Sequence, residues 1–270
     1  MKPLMLMLTA SLAIWGAQAQ ESPSWIRHSA ISPDGKTLAF SYKGDIFTVS
    51  ASGGEARQLT SNRAYESDPI WTPDGQFIVF SSTREDSKDI FVSPREGGQP
   101  RRLTTLPGGE TPLAVTADGQ VYFSWSDSSL QVPDFDGFPG YPGVYRTDLQ
   151  GREPELVTPL TLAAMSFNAA GDLLYEDWKG YEDPLRKHHT SSVTRDIWLY
   201  KPARTGVIDA QGSFRKLSTY EGEDRNPVFA ADGDSFYFLS ERDGKTSNIY
   251  RSSLRCIRNR SRNTCLQNGK

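Results

Sequence analysis

Apolar residues in this chain come in short runs separated by polar, glycine-containing stretches, and the arrangement recurs. An Asp-Gly pair stands at Asp34-Gly35, Asp74-Gly75, Asp118-Gly119 and Asp232-Gly233, with the reversed pair Gly171-Asp172 between the last two. Each is followed by an apolar run: Leu38-Ala39-Phe40, Ile78-Val79-Phe80, Val121-Tyr122-Phe123, Leu173-Leu174-Tyr175 and Phe236-Tyr237-Phe238-Leu239. A second run follows at Ile46-Phe47, Ile90-Phe91, Val144-Tyr145, Ile197-Trp198 and Ile249-Tyr250. Another short run precedes each turn, as in Pro69-Ile70-Trp71 and Pro227-Val228-Phe229, and four units close on Leu59-Thr60, Leu103-Thr104, Val157-Thr158 and Leu217-Ser218. Runs this short, rich in β-branched and aromatic residues and bounded by turn residues, predict strands. Asp-Gly between two of them predicts a type I′ hairpin, whose central residues both need positive φ. Gly53-Gly54, Gly97-Gly98 and Gln150-Gly151 supply the turn into the fourth strand.

Each unit therefore predicts a four-stranded antiparallel meander, and four strands in ~40–45 residues are the mark of a β-propeller blade. The expected fold is all-β: a propeller of about five blades near residues 25–60, 65–104, 111–158, 163–219 and 225–254. Successive turns lie 40, 44, 53 and 61 residues apart, so the later blades carry insertions. A β-sandwich would not require repeated units. The fifth unit runs through Asn248-Ile249-Tyr250-Arg251 and then meets no recognisable outer strand, so it reads as incomplete. An unclosed ring exposes strand edges and favours self-association.

The ends differ from the repeats. Residues 1–19 combine Lys2, an apolar run from Leu4 to Trp15 and Ala17-Gln18-Ala19, which read as a secretory signal peptide and place the protein outside the cytoplasm. The run falls short of the ~20 residues needed to span a membrane. Residues 255–270 hold Arg255, Arg258, Arg260, Arg262 and Lys270 with no acid, so the net charge of −3 becomes −8 for residues 1–254. That tail reads either as a basic arm, with Cys256 and Cys265 as a disulfide pair, or as an unstructured or frameshifted end foreign to the fold. An acidic total gives no reason to expect nucleic-acid binding.

The blades resemble the Pro-Asp units of TolB-like propellers, as in Ser32-Pro33-Asp34-Gly35-Lys36 and Thr72-Pro73-Asp74-Gly75-Gln76. Three longer segments are similar to the N-terminal propeller of tricorn-like serine peptidases of the S41 class: SSTREDSKDIFV at 81–92, KGYEDPLRKHHTSSVTRDIW at 179–198 and EGEDRNPV at 221–228. In that family a six-bladed propeller precedes a second propeller, a helical region, a PDZ-like module and the peptidase core. The resemblance implies a substrate-gating module that meets unfolded peptides or protein substrates, with the catalytic machinery lying outside this sequence. A stand-alone TolB-like propeller that binds other proteins is the alternative.

The residues themselves carry no serine-peptidase constellation, since that chemistry needs a nucleophile, a base and an oxyanion hole. Only His28, His188 and His189 are bases of the usual kind, and no G-x-S-x-G elbow is present. His28 reads as an ordinary strand residue, and Asp34, Asp74, Asp118 and Asp232 as turn formers. Neighbouring His188 and His189 would face opposite sides of a strand, and no third ligand completes a zinc site, so neither metal nor cofactor is expected. In one reading residues 179–195 form a channel-mouth loop in which Arg186, His188, His189 and Arg195 meet a peptide's carboxylates or carbonyls. In the other, Arg186 and Arg195 pair with Glu182, Asp183 or Asp196 and brace the hairpin. The Pro- and Gly-rich insertion at 126–142 offers Phe135, Phe138 and Tyr141 either to an extended peptide or to local packing.

Overall fold

A computed structural model describes residues 25–126, 143–160, 162–179, 192–204, 208, 211–218, 220–244, 247–254 and 266–268. Blade one is built from β1 (Arg27–Ile31), β2 (Thr37–Tyr42), β3 (Asp45–Ser50) and β4 (Arg57–Gln58). Blade two comprises β5 (Glu66–Trp71), β6 (Phe77–Glu85), β7 (Ser87–Pro94) and β8 (Arg101–Arg102). Blade three comprises β9 (Gly109–Val115), β10 (Gln120–Ser126), β11 (Gly143–Asp148) and β12 (Glu155–Thr158). Blade four has β13 (Leu162–Phe167), β14 (Leu173–Asp177), β15 (Ile197–Lys201) and β16 (Ser213–Lys216). Blade five has β17 (Asp224–Phe229), β18 (Ser235–Ser240), β19 (Asn248–Ser253) and β20 (Leu266–Asn268). Within every blade the strands pair antiparallel in chain order, so the protein is an all-β five-bladed propeller.

Two sequence expectations change in detail. The fifth sheet does not stop at its third strand: Leu266–Asn268, within the basic tail, pairs with Ser252, Arg251 and Tyr250 of β19. The hairpin turns are not type I′. Gly35, Gly75, Gly119 and Gly233 have φ between 67° and 81°, whereas Asp34, Asp74, Asp118 and Asp232 are not among the positive-φ residues. The Gly35 N–H donates to the Ser32 carbonyl at 2.8 Å and the Gly75 N–H to that of Thr72 at 2.8 Å. This is a type I turn with glycine at its fourth position. Proline at the second position of blades one and two enforces this, because its ring fixes a negative φ that type I′ forbids. Blades three and five make the same turn with Ala117 and Ala231 there, the Gly119 and Gly233 N–H groups donating to the Thr116 and Ala230 carbonyls at 2.9 and 3.0 Å. The Asp side chain then accepts from the residue two places on, as Asp34 does from the Lys36 N–H at 3.0 Å.

The Thr or Ser that closes a unit also has a structural task. Thr60, Thr104 and Ser218 accept, through their hydroxyls, the backbone N–H of Ile46, Ile90 and Ile197 at 2.9, 2.9 and 2.7 Å. Each satisfies a buried donor at the start of a third strand, where an orphaned amide would cost about 1–3 kcal/mol.

The core lies between blades rather than within them. Ala39 and Ile46 of blade one pack on Trp71, Ile78, Phe80 and Phe91 of blade two, and equivalent clusters join blades two to three, three to four and four to five. First strands contact one another in the order β1, β5, β9, β13, β17. Blades two and three are also joined by a parallel pairing of Lys88 with Gly109. Outer-strand arginines tie blades one to two, two to three and four to five: Arg57 donates to the Glu96 carbonyl, Arg101 to that of Leu149 and Arg215 to that of Leu254.

Candidate functional site

First strands begin, and second strands end, at one rim of the propeller, and the insertions after residues 126 and 179 leave the ring there. That rim is built on a repeated register. Glu66 lies opposite Ser82 in blade two, Glu110 opposite Trp125 in blade three and Asp224 opposite Ser240 in blade five. The second and third strands of these blades also carry two facing aromatics: Phe80 with Phe91, Phe123 with Tyr145 and Phe238 with Tyr250.

In blades two and five this frame holds a guanidinium. Arg84 donates through Nε to Ser82 Oγ at 3.1 Å and through Nη2 to Glu66, with its plane 4.8 Å from the Phe91 centroid. Arg242 donates through Nε to Ser240 Oγ at 2.9 Å and through Nη2 to both Asp224 oxygens at 2.8 Å, over Phe238 and Tyr250. A planar fork that satisfies a buried carboxylate while stacking on rings is a task lysine performs poorly.

Blade three is different. Trp125 replaces the serine and packs edge-on against Tyr145 at 5.3 Å, while its Nε1 donates to the Pro107 carbonyl at 2.6 Å. Glu110 remains, fully buried, with Oε2 accepting from the Ile90 N–H at 3.2 Å and paired with the Thr104 hydroxyl. Among the described residues its Oε1 makes no well-formed hydrogen bond, although the Leu106 amide lies near enough to favour the charge. Burial, joined by repulsion from Asp89, pushes the Glu110 carboxyl up to about 7. Burial raises Asp89 as well, although Arg102 Nη2 stands 2.8 Å from it.

Blade four answers in its own way. Arg195 pairs with Glu176 and lies 4.9 Å over the ring of Trp178, while Lys179 reaches Asp196 and the Thr194 carbonyl. Glu176 also accepts the N–H of Asn226 from blade five at 2.7 Å. Of the sequence-derived peptide-contact candidates, Arg195 is therefore placed in an ion pair, but with Glu176 rather than Asp196. Arg186, His188, His189, Phe135, Phe138 and Tyr141 lie outside the described residues.

His28 is more than an ordinary strand residue. It sits with φ 49° on a bulge of β1, as Asp68 does on β5 with φ 56° and Asn226 on β17 with φ 51°. His, Asp and Asn are the side chains that tolerate this region best after glycine. The His28 Nδ1 is 3.0 Å from Asp68, which also binds Lys88 Nζ at 3.0 Å, and Lys88 continues to Thr111 at 2.8 Å. Burial would raise Asp68, but Lys88, Ser67 and His28 together hold it below the usual range. The result is a polar chain across the inner strands of blades one to three. Among the described residues no group of three or more His, Cys, Asp and Glu could hold a metal ion, and no helix is long and apolar enough to cross a membrane.

At the opposite rim, blades four and five frame a cleft of about 480 Å³ lined by Asp172, Lys201, Arg215, Asp232 and Asp234. Lys201 and Asp172 are 3.3 Å apart, and Arg251 holds Asp232 at 2.6 Å. Hydrogen bonding by Ser235, backed by Arg251, lowers Asp232 to about 2. Asp172 and Asp232 of this cleft are thus each held by a cation of their own blade.

Sequence reasoning missed the acid–arginine frame, although its trace is legible as Ser-x-Arg at Ser82-Thr83-Arg84 and Ser240-Glu241-Arg242. Only the register shows which acid each arginine meets.

Comparison with known proteins agrees with the architecture. The family model of the tricorn protease N-terminal β-propeller domain matches residues 23–264. Dipeptidyl-peptidase 5 of Porphyromonas gingivalis is 27% identical over 273 residues, covering 84% of this chain and 39% of that protein. The crystal structure of the tricorn protease superposes with a TM-score of 0.66 at 20% identity, covering 86% of this chain and 22% of the protease. A putative TolB from Agrobacterium tumefaciens superposes with a TM-score of 0.63 at 16% identity, covering 86% of this chain and 78% of TolB. The chain thus spans well under half the length of the peptidases it matches.

Proposed function

Because the chain belongs to the tricorn protease N-terminal β-propeller family, we propose that it is the substrate-gating propeller of an exported, tricorn-like serine peptidase of the S41 class. In this reading it captures and channels unfolded polypeptide, and hydrolysis is performed by a portion of the peptidase outside these 270 residues. The observation that carries the reading is the family match over residues 23–264. The rim is consistent with this reading: two insertions leave it after residues 126 and 179, beside a frame of buried ion pairs, and in this reading their Phe135, Phe138, Tyr141, Arg186, His188 and His189 contact the peptide. Residues 1–19 act as the export signal and deliver the mature chain to the periplasm or beyond.

The test is binding of fluorescently labelled, reduced casein to the purified chain by anisotropy, alongside a casein-hydrolysis assay. Saturable binding without hydrolysis is expected, weakened about tenfold or more, roughly 1.4 kcal/mol, when Phe135, Phe138 and Tyr141 are all replaced by alanine. Absence of binding, or turnover abolished by a serine-directed inhibitor, overturns the reading.

The likeness to TolB, of which the chain covers 78%, favours one second reading, a stand-alone protein–protein binding module. Such a module would ignore unfolded casein and retain a folded partner of fixed stoichiometry.

A further inference from the structure

We propose that Glu110 is held as a neutral carboxylic acid in the seam between blades two and three, and that its ionisation is a pH-sensitive latch on that seam. Glu110 occupies the place of Glu66 and Asp224, each of which has an arginine of its own blade. In blade three the space above the second aromatic is taken by the Trp125 indole instead. Blade one makes the same exchange, with Tyr42 edge-on to Phe47 at 5.8 Å, but there the acid is absent too, since Ile26 precedes β1. Blade three alone of these keeps the carboxyl and loses the cation.

Among the described residues the surroundings offer no replacement. On β7 stands Asp89, a like charge, with Glu85 of β6 adding another beside it. Arg102 of β8 is directed to Asp89. Arg84 of β6 pairs with Glu66 of β5, and Lys88 of β7 is held by Asp68 of β5 and by Thr111. β10 presents Trp125 opposite Glu110, and β13 carries no charged residue. A fully buried carboxylate with one oxygen lacking a well-formed hydrogen bond and a like charge nearby is costly, whereas the neutral acid is tolerated.

The group also sits where its charge matters. Its Oε2 accepts the Ile90 N–H, its own carbonyl accepts the Ser81 hydroxyl at 2.8 Å, and its neighbour Gly109 makes the parallel pairing that joins the two blades. The donors Thr104, Ile90 and Leu106 favour the charge, but burial and Asp89 outweigh them, so ionisation draws water into the seam and parts the Ser81 and Gly109 links that close it.

The sign follows from the direction of the shift. The folded carboxyl, raised from 4.5 to about 7, keeps its proton to higher pH than the unfolded one. Its contribution to stability is complete below about 4.5, is lost as pH rises to about 7, and is constant above that.

The test is urea unfolding of the wild-type chain and of Glu110→Gln between pH 5 and 9. The Gln variant, which cannot ionise, should gain over wild type on the order of a hundredfold in the folding equilibrium between pH 5 and 8, then hold a constant advantage. Parallel pH curves overturn the proposal. Hydrogen exchange of wild type provides the second readout should the variant fail to fold. The amides of Ile46, Ile90 and Ile197 share the hydroxyl cap, but only Ile90 also bonds Glu110. Corrected for intrinsic rates, Ile90 should lose protection over this range relative to the other two, and equal behaviour of all three overturns the latch.

Discussion

At the scale of single residues, the rim shows how a buried charge is made tolerable and how one substitution reverses the arrangement. In blade five, Arg242 places its fork on Asp224 while three aromatic rings lie within 5.7 Å of its guanidinium carbon. Replacing it with methionine would keep most of the packing and strand the carboxylate, whose side chain is 1% exposed. Arg242→Met is expected to destabilise the chain by about 3–5 kcal/mol, the range for breaking one half of a buried pair. Adding Asp224→Asn should recover much of that loss in the same urea titration, because the cost belongs to the unpaired charge. An equal loss in single and double variants would mean that the arginine contributes through packing alone.

At the scale of the strand and its turn, each hairpin is specified by three neighbouring residues. In blades one and two proline sets the first bend, aspartate accepts the amide two places on, and glycine takes the positive φ that returns the chain into the second strand. Blades three and five keep the Asp-Gly pair with Ala117 and Ala231 in the proline's place. A Cβ on Gly35 would meet no atom within 4 Å, so its φ of 70° is the sole constraint there. Gly35→Ala is therefore expected to cost about 1 kcal/mol through backbone strain, seen as a lower urea midpoint at unchanged m-value. At Gly151 the same change should cost more, because a Cβ there would lie 3.1 Å from the Leu103 carbonyl oxygen. If the two variants proved equally stable, close approach of the backbone would carry no weight.

At the scale of the whole molecule, five blades create four buried seams, and the outward faces of blades one and five carry no core cluster among the described residues. Ile31 on one face and Val228 and Ile249 on the other are each more than half exposed, on sheets whose opposite faces are packed. Apolar sheet surface of this kind drives association, so a second copy of the chain is the expected occupant at high concentration. Sedimentation should show average mass rising with concentration, and Val228→Glu with Ile249→Glu should suppress the rise. A concentration-independent monomer would show that these faces do not attract one another.

The grouping of strands in fours and the propeller they form were legible in the sequence because each depends on local periodicity; the outer strand of blade five, drawn from the basic tail, was not. Asp34-Gly35 and its four counterparts mark turns, and a unit too small to bury its own apolar face must stack on a neighbour. Asp-Gly alone does not give the turn type: Pro33 and Pro73 forbid type I′ in blades one and two, and in blades three and five the same type I turn is visible only in the backbone. What the sequence left open is pairing across strands. Nothing local says that Arg242 meets Asp224, that Arg195 meets Glu176 rather than Asp196, or that Trp125 fills the space an arginine holds in blade two. Those facts depend on register and on the packing of one blade against the next, which bring together residues 18 or more positions apart. Composition fixes that there is a carboxyl at Glu110; only the folded seam, by burying it without a cation, decides whether it carries a charge.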